Sequence, residues 1–465
     1  MSSPPLSFFH YKTWTQFFSL DAVLAKEVLH LAYPVVLGLA SITAIGLTDT
    51  AMVGRLGAEA LAATGQAAII FWGVHWVTRS IEVAAQALVS RRYGERQYAQ
   101  CGKILDNALA IATALGTMNT FFLFFGGRTL MSFQSSHAEV IDLAVGYIDT
   151  LSCVLLFSAL FFATRGFYSG IGKTRIFLIT ALLMLLINII GNYAFIFGHF
   201  GAPKMGVRGA ALASAVAFVI ALTFIIAYTL GIGRRSYRRE FNAFRFSNLD
   251  RSTIFEIVKL ASPNAFRGVM VIGGLAVFYA MVDRLDVVQV AIVNVVLNIQ
   301  SVSFMPGYGF GVAAATLIGQ SLGANDPEKA DRAGYEAVKL GMLFMGTLGV
   351  IFLIIPEWVV RLFTDDPVVI AHAVFPLRIV GLVQLVDAAG MIFSSALEGA
   401  GNTRWVMGAE IFVNWGIFLP LTYGLTFILN FDRFGPWIAW AMYMVVFGVM
   451  CFWKYRNGEW KHIKL

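Results

Sequence analysis

The chain has 465 residues, 58% hydrophobic and only 13% charged, with a mean hydropathy of +0.73. A soluble domain carries about a quarter of its residues charged, so the composition excludes a soluble globular protein and implies a polytopic membrane protein. The net charge of +7 does not imply nucleic acid as a partner, because the basic residues fall in the breaks between apolar runs.

In chain order, the first 26 residues lack the basic start, clean apolar core and small-residue cleavage site of a removable signal. Phe8, Phe9, Trp14, Phe17 and Phe18 suit a segment lying at the headgroups. Twelve runs then follow, each near the ~20 residues a spanning helix needs: 28–53, 60–88, 104–125, 138–163, 175–198, 207–231, 253–282, 287–317, 335–355, 370–397, 405–429 and 435–453. The expected fold is therefore all-α and membrane-integral. A segment over 1–26 leads into a six-helix bundle over 27–232. A basic linker over 233–252 joins it to a second bundle over 253–453, with a tail over 454–465. The linker, RRSYRREFNAFRFSNLDR, reads as a solvated connection between halves.

Orientation follows from the loops. With the N-terminus placed in the cytoplasm, roughly three times as many Lys and Arg fall on that side as on the other, the bias of the positive-inside rule. Both termini are expected in the cytoplasm, the chain in the cytoplasmic (inner) membrane, and its basic side against anionic lipid. Cys101, Cys153 and Cys451 have no CxxC spacing and the seven histidines no HExxH spacing, so neither a disulfide framework nor a metal centre built on them is expected.

The two halves match at one offset of 229 residues. LAYP at 31–34 meets LASP at 260–263, MVGRL at 52–56 meets MVDRL at 281–285, VAAQALVSRRYG at 83–94 meets VAAATLIGQSLG at 312–323, and GIGKTR at 170–175 meets GAGNTR at 399–404. Six helices return the chain to its starting side, so the repeat is parallel, with a pseudo-twofold axis along the membrane normal and a cleft between bundles.

Polar residues inside the runs break this symmetry. Asp49 lies in the first run, where a carboxylate costs roughly 2.5–3.5 kcal/mol or more at the bilayer centre; its counterpart is Phe278. Asn188 and Asn192 share a face of the fifth run, and Ser214 is the first interior hydroxyl of the sixth. Counted at about 1.5 Å per residue from the outer boundary, Asp49, Asn192 and Ser214 fall in one layer. Such oxygens suit a proton or Na+, and if Na+ is used its ligands are Asp49, Asn188 and Asn192; the alternative is plain helix–helix hydrogen bonding. In the second half, Asp387 with Gln384 one turn earlier faces either a cationic substrate, a second cation, or a bridge to Arg378 or Arg267. Arg267 either snorkels toward the cytoplasm or lines the cavity. Arg79 and Glu82, three apart, are placed to pair along one helix. Arg165 and Glu398 sit near the Gly-rich turns, where they close an inner gate or anchor loops.

TDTAMVGRLGAEALAA, LVSRRYG and LIGQSLG, SGIGKTR and EGAGNTR, LINIIGNYAFIFG and GVRGAALAS together resemble the multidrug and toxic compound extrusion (MATE) family over about residues 27–430, and GLTDTAMVGRL is most similar to its DinF-like branch. The resemblance implies an antiporter exporting organic, often cationic and amphipathic, compounds against H+ or Na+, with no cofactor beyond the coupling ion. It makes Asp49 the central cation residue, with Asn188, Asn192 and Ser214 around it and Asp387 the acid of the tenth helix. Ser214 stands where Thr is common. Val271 stands where NorM-like relatives carry a glutamate, which favours a site in the first bundle, and Asn192 stands where some relatives carry Asp, which favours H+ over tight Na+ binding. The alternative is a flippase for lipid-linked precursors; the few interior cations argue against it. The lack of a DDxxD-like or HxxxxD-like cluster argues against a membrane-embedded enzyme.

Overall fold

The computed structural model describes residues 21–134, 138–231 and 237–465, so the aromatic segment before Asp21 and the linker residues Arg234 and Arg235 lie outside the described residues. Twelve long helices carry the chain: α1 (Ala22–Gly54), α2 (Ala58–Gly94), α3 (Tyr98–Gln134), α4 (Ala138–Gly170), α5 (Arg175–Phe197), α6 (Val207–Leu230), α7 (Arg251–Asp283), α8 (Val287–Gly323), α9 (Pro327–Ile354), α10 (Pro367–Gly399), α11 (Thr403–Ile428) and α12 (Gly435–Arg456). All are long and apolar enough to cross a membrane.

Several run well past their apolar stretches. α3 begins at Tyr98 rather than 104, α2 ends at Gly94 rather than 88, and α9 begins at Pro327 rather than 335. Hydropathy marks only the part of a helix inside lipid; caps and breakers set its ends. Asp21, Asp250, Asp326 and Asp366 accept from first-turn amides of α1, α7, α9 and α10, and Pro327 and Pro367 occupy first-turn positions where no donor is lost. α11 is irregular: two stretches, Phe412–Phe418 and Gly424–Ile428, wind as wide π turns.

The helices form two six-helix bundles. Within the first, α2 packs on α4, α3 on α4, α4 on α6 and α5 on α6; in the second, α8 on α10, α9 on α10 and α10 on α12 repeat the pattern. Between bundles the most extensive contacts are α1 with α8, α2 with α7, and α2 with α8. A shift of 229 residues carries α1 onto α7 and α2 onto α8. It therefore exchanges the first two contacts and maps the third onto itself, as a parallel pseudo-twofold requires. The axis passes between the ends of α2 and α8. A Cβ on Gly94 would stand 2.0 Å from the Gln320 carbonyl oxygen, and one on Gly323 would stand 2.0 Å from that of Arg91. These pairs are repeat equivalents, and only glycine lets the two backbones meet there.

This crossing lies on the side that also carries the linker and residues 457–465, here called the linker side. The hydrogen bonds and ion pairs between bundles found among the described residues all lie toward it. Gln86 Nε2 donates to the Val312 carbonyl and to Thr316 Oγ1, both at 2.9 Å, and Thr316 Oγ1 donates to the Ser169 carbonyl at 3.0 Å. Gln320 Nε2 donates to the Gly170 carbonyl at 2.8 Å, and Lys329 pairs with Glu27 at 3.0 Å.

The described part of the linker, from Tyr237 onward, is docked rather than solvated. Tyr237, Phe241 and Ala243 are buried in the core of the first bundle. Asp106 of α3 accepts from the amides of Phe244 and Arg245 at 2.7 and 3.0 Å and from Asn248 Nδ2 at 2.7 Å, while Asn107 accepts from the Asp250 amide at 2.9 Å. A short polar break read from composition hides its apolar anchors, Tyr237 and Phe241, among charges.

Candidate functional site

The far half of the first bundle brings four predicted residues into one hydrogen-bonded row. Gly191 of α5 packs against Ala213 of α6, a Cβ there falling 2.9 Å from the alanine methyl, so the two helices run close where their polar side chains emerge. One turn spaces Asn188 from Asn192 and aims both inward. Asn192 Nδ2 donates to Asp49 Oδ1 at 2.5 Å and to Asn188 Oδ1 at 3.1 Å; Asn188 Nδ2 donates to Ser214 Oγ at 3.1 Å. Both asparagines are fully buried, whereas Asp49 is half-buried.

The row is not saturated. Asn192 Oδ1 is buried without a donor. A buried acceptor without a partner is costly, by about 1–3 kcal/mol, and here it stands beside a carboxylate. Carboxylate, amide and hydroxyl oxygens from three helices are the donor set a hard cation uses, so the residues fit Na+ as well as a proton. Tyr147 of α4 lies within electrostatic reach of Asp49 and packs with Val53, Ala60, Ile196 and Val207. No sequence signal separates it from other core aromatics.

The second bundle fills the equivalent place differently. At the same offset, Asp49, Asn188, Asn192 and Ser214 become Phe278, Ile417, Leu421 and Tyr443. Phe278 is fully buried, with ring centroids 5.1 Å from Phe418 and 5.6 Å from Trp440. An aromatic plug stands where the first bundle has its carboxylate.

The charges of the second bundle gather nearer the linker side. Arg267 of α7 bridges Glu398 of α10 at 3.0 Å and Glu410 of α11 at 3.1 Å, and Tyr443 donates to Glu410 at 3.1 Å. Arg267 therefore neither snorkels nor stands free on a cavity wall, because the buried Glu398 and the partly buried Glu410 hold it. Asp387 bonds to neither Arg267 nor Arg378; it lies near Gln300 and Glu410, and its Oδ2 is buried without a donor. Gln384 is fully buried, donates to Ser303 Oγ of α8 and packs on Gly349 of α9, so it belongs to a three-helix contact. Glu410, absent from the predicted site residues, was legible by the rule that exposes Asp49, an acid inside an apolar run.

In the first bundle, Arg79 and Glu82 do approach, at 3.8 Å, but the principal partner of Glu82 is Arg165, which grips both carboxylate oxygens from α4. Spacing along a helix cannot reveal a partner on another helix. Arg79 lies between the Trp76 and Tyr308 rings, 4.8 Å from each centroid, and so reaches from α2 to α8. Among the described residues no group of three or more His, Cys, Asp and Glu is arranged to hold a metal ion.

The MatE family model matches the chain twice, over residues 34–194 and 263–424, starting at the repeat-equivalent prolines Pro34 and Pro263. The chain is 28% identical to the probable multidrug resistance protein NorM of Agrobacterium fabrum over 425 residues, 90% of each chain. It is 28% identical to the multidrug resistance protein PmpM of Pseudomonas aeruginosa over 410 residues, covering 86% of this chain and 83% of that one. Among solved structures it is similar to a multidrug resistance transporter of the MOP superfamily in an outward-facing conformation, with a TM-score of 0.88 and 20% identity over 95% of this chain and 97% of that one. It is also similar to a MOP superfamily transporter from Pyrococcus furiosus, with a TM-score of 0.86 and 21% identity over 93% and 95%.

Proposed function

Because this chain belongs to the MatE family, the multidrug and toxic compound extrusion transporters, we propose that it exports organic, often cationic and amphipathic compounds in exchange for H+ or Na+, by alternating access of the cleft between its bundles. The observation that carries the coupling is the row Asp49–Asn192–Asn188–Ser214, with its spare buried oxygen on Asn192. With Asp49 bare, Asn192 presents its N–H to the carboxylate. With a cation bound, a half-turn of the same amide presents Oδ1 to the ion instead. The first bundle thereby distinguishes loaded from empty, while the second holds an aromatic plug at that place.

The surplus of Lys and Arg on the linker side supports a cytoplasmic linker and cytoplasmic ends. With that orientation the bundles are joined on the cytoplasmic side and the cleft faces outward, which agrees with the outward-facing relative. Asp387 and Arg267 then stand toward the base of the cleft, and Asp387 Oδ2, buried without a donor, meets a cationic substrate only once the bundles move. Export of lipid-linked precursors is the weaker reading, since Arg79, Arg165 and Arg267 are all engaged by carboxylates or rings.

The test is uptake of a cationic dye into proteoliposomes, with pH and Na+ gradients imposed separately. Wild type should transport under at least one gradient, and Asp49→Asn should transport under neither. An Asn variant as fast as wild type under both gradients removes Asp49 from coupling.

A further inference from the structure

The lock on the linker side is built unequally in its two halves. Gln320 of α8 crosses directly to the first bundle, donating to the carbonyl of Gly170 in the GIGKTR turn. Its repeat equivalent is Arg91, and the equivalent of Gly170 is Gly399 in the GAGNTR turn. Arg91 does not make the corresponding bond. Its Nη2 donates instead to the main-chain oxygen of Ile463 at 2.5 Å, and Arg92 Nη2 donates to that of Leu465 at 3.0 Å.

Residues 459–465 are thus interposed between the bundles. Gly458, at a φ of 71°, turns the chain back after α12. Trp460 is fully buried, stacks on Tyr455 with centroids 4.7 Å apart and donates Nε1–H to the Tyr455 carbonyl at 2.7 Å. Tyr455 in turn donates to the main chain at the start of α9, and Lys461 pairs with Asp331 at 3.2 Å. That end of the segment is pinned to the second bundle. Ile463 packs on the second bundle's core, and Leu465 packs on the first bundle's core and against Gly401. Among the described residues the attachments to the first bundle are two guanidinium bonds and one leucine. They can detach while the Trp460 anchor stays.

We propose that residues 459–465 form a detachable latch. It stands in for the missing Arg91–Gly399 contact, holds the linker side closed, and must leave Arg91 and Arg92 before that side opens. This rests on the alternating-access reading above.

The experiment is pulsed EPR on the full chain in nanodiscs. Spin labels on Gln97→Cys and Glu328→Cys, both exposed on the linker side of opposite bundles, are placed in a Cys153→Ser background. Wild type should show a short and a long distance whose ratio responds to a pH or Na+ gradient. Arg91→Ala/Arg92→Ala should raise the long-distance population about threefold or more. If wild type responds to the gradients and the double variant matches it, the latch is overturned and alternating access stands. If wild type keeps one distance under every gradient, alternating access fails and the latch with it. A second arm does not depend on the folding of the double variant. Arg92→Cys/Leu465→Cys, joined by a reducible methanethiosulfonate cross-linker, should lose dye transport and regain it on reduction. Undiminished transport by the cross-linked protein overturns the latch.

Discussion

Asn192 of α5 donates to Asp49 of α1 while its own side-chain oxygen, fully buried, accepts nothing. The amide spends its donor on the carboxylate and keeps its acceptor in reserve. Asn192→Leu should leave Asp49 and Asn188 each short of one hydrogen bond and lower transport about tenfold or more without loss of expression. Asn192→Asp sets two carboxylates together and should raise the dependence of transport on Na+ relative to H+. Initial rates under separate gradients measure both.

Arg165 and Glu82 form a buried two-toothed pair between α4 and α2. Arg165→Ala strands a carboxylate in the core and should destabilise the first bundle by about 3–5 kcal/mol. Arg165→Met with Glu82→Leu should recover most of that. The midpoint of thermal loss of the monodisperse peak in size-exclusion chromatography reports both.

Gly94 and Gly323 admit no Cβ at the pseudo-twofold axis. Gly323→Val should force α2 and α8 apart and shift the linker-side distance between Gln97 and Glu328 toward its longer value. Gly54→Val, where a Cβ meets nothing within 4 Å, is the control and should leave that distance as in wild type.

Asp250 joins the linker to α7 and lies outside the spanning segments. The Lys103 ammonium at 3.0 Å, with first-turn bonds from Thr253, holds its carboxyl at about 2, below its ordinary 3.8. A folded-state value below the unfolded one contributes stability that is fully present above the unfolded value and is lost as pH falls through the folded one. Asp250→Asn should therefore lower the melting temperature by a constant amount between pH 5 and 8, and the gap should close only as the pH falls from about 4 to about 2. Melting curves of the two proteins across that range decide it.

The architecture was legible because bilayer thickness and a gap-free repeat each leave a mark in one dimension. The candidate row was legible for the same reason: Asp49 stands out in an apolar run, and Asn188 and Asn192 are one turn apart. The pairings were less so. Glu82 is three residues from Arg79 but is gripped by Arg165, eighty-three positions away in the chain. Arg267 finds Glu410 on another helix. Partner choice among buried charges depends on which faces two helices present, and helix rotation is not written in composition. The linker misled because two buried aromatics outweigh six arginines once α3 offers Asp106 and Asn107 to its backbone.

The wide turns of α11 have a consequence for how the two halves tolerate change. α5 crosses in 23 residues and its counterpart α11 uses 26. The surplus has been taken up inside the helix, since a π turn holds more residues in a given length than an α turn. GAGNTR and the start of α12 hold the offset of 229 to within a residue, and the turn between α11 and α12 is three residues shorter than that between α5 and α6. Such a helix carries slack. Removing one residue from 412–418 should tighten a wide turn into an ordinary one with little effect elsewhere. The same deletion in α5 has no slack to draw on. It would swing Asn192 about 100° around the helix, away from Asp49, and the row would be gone with every residue of it still present.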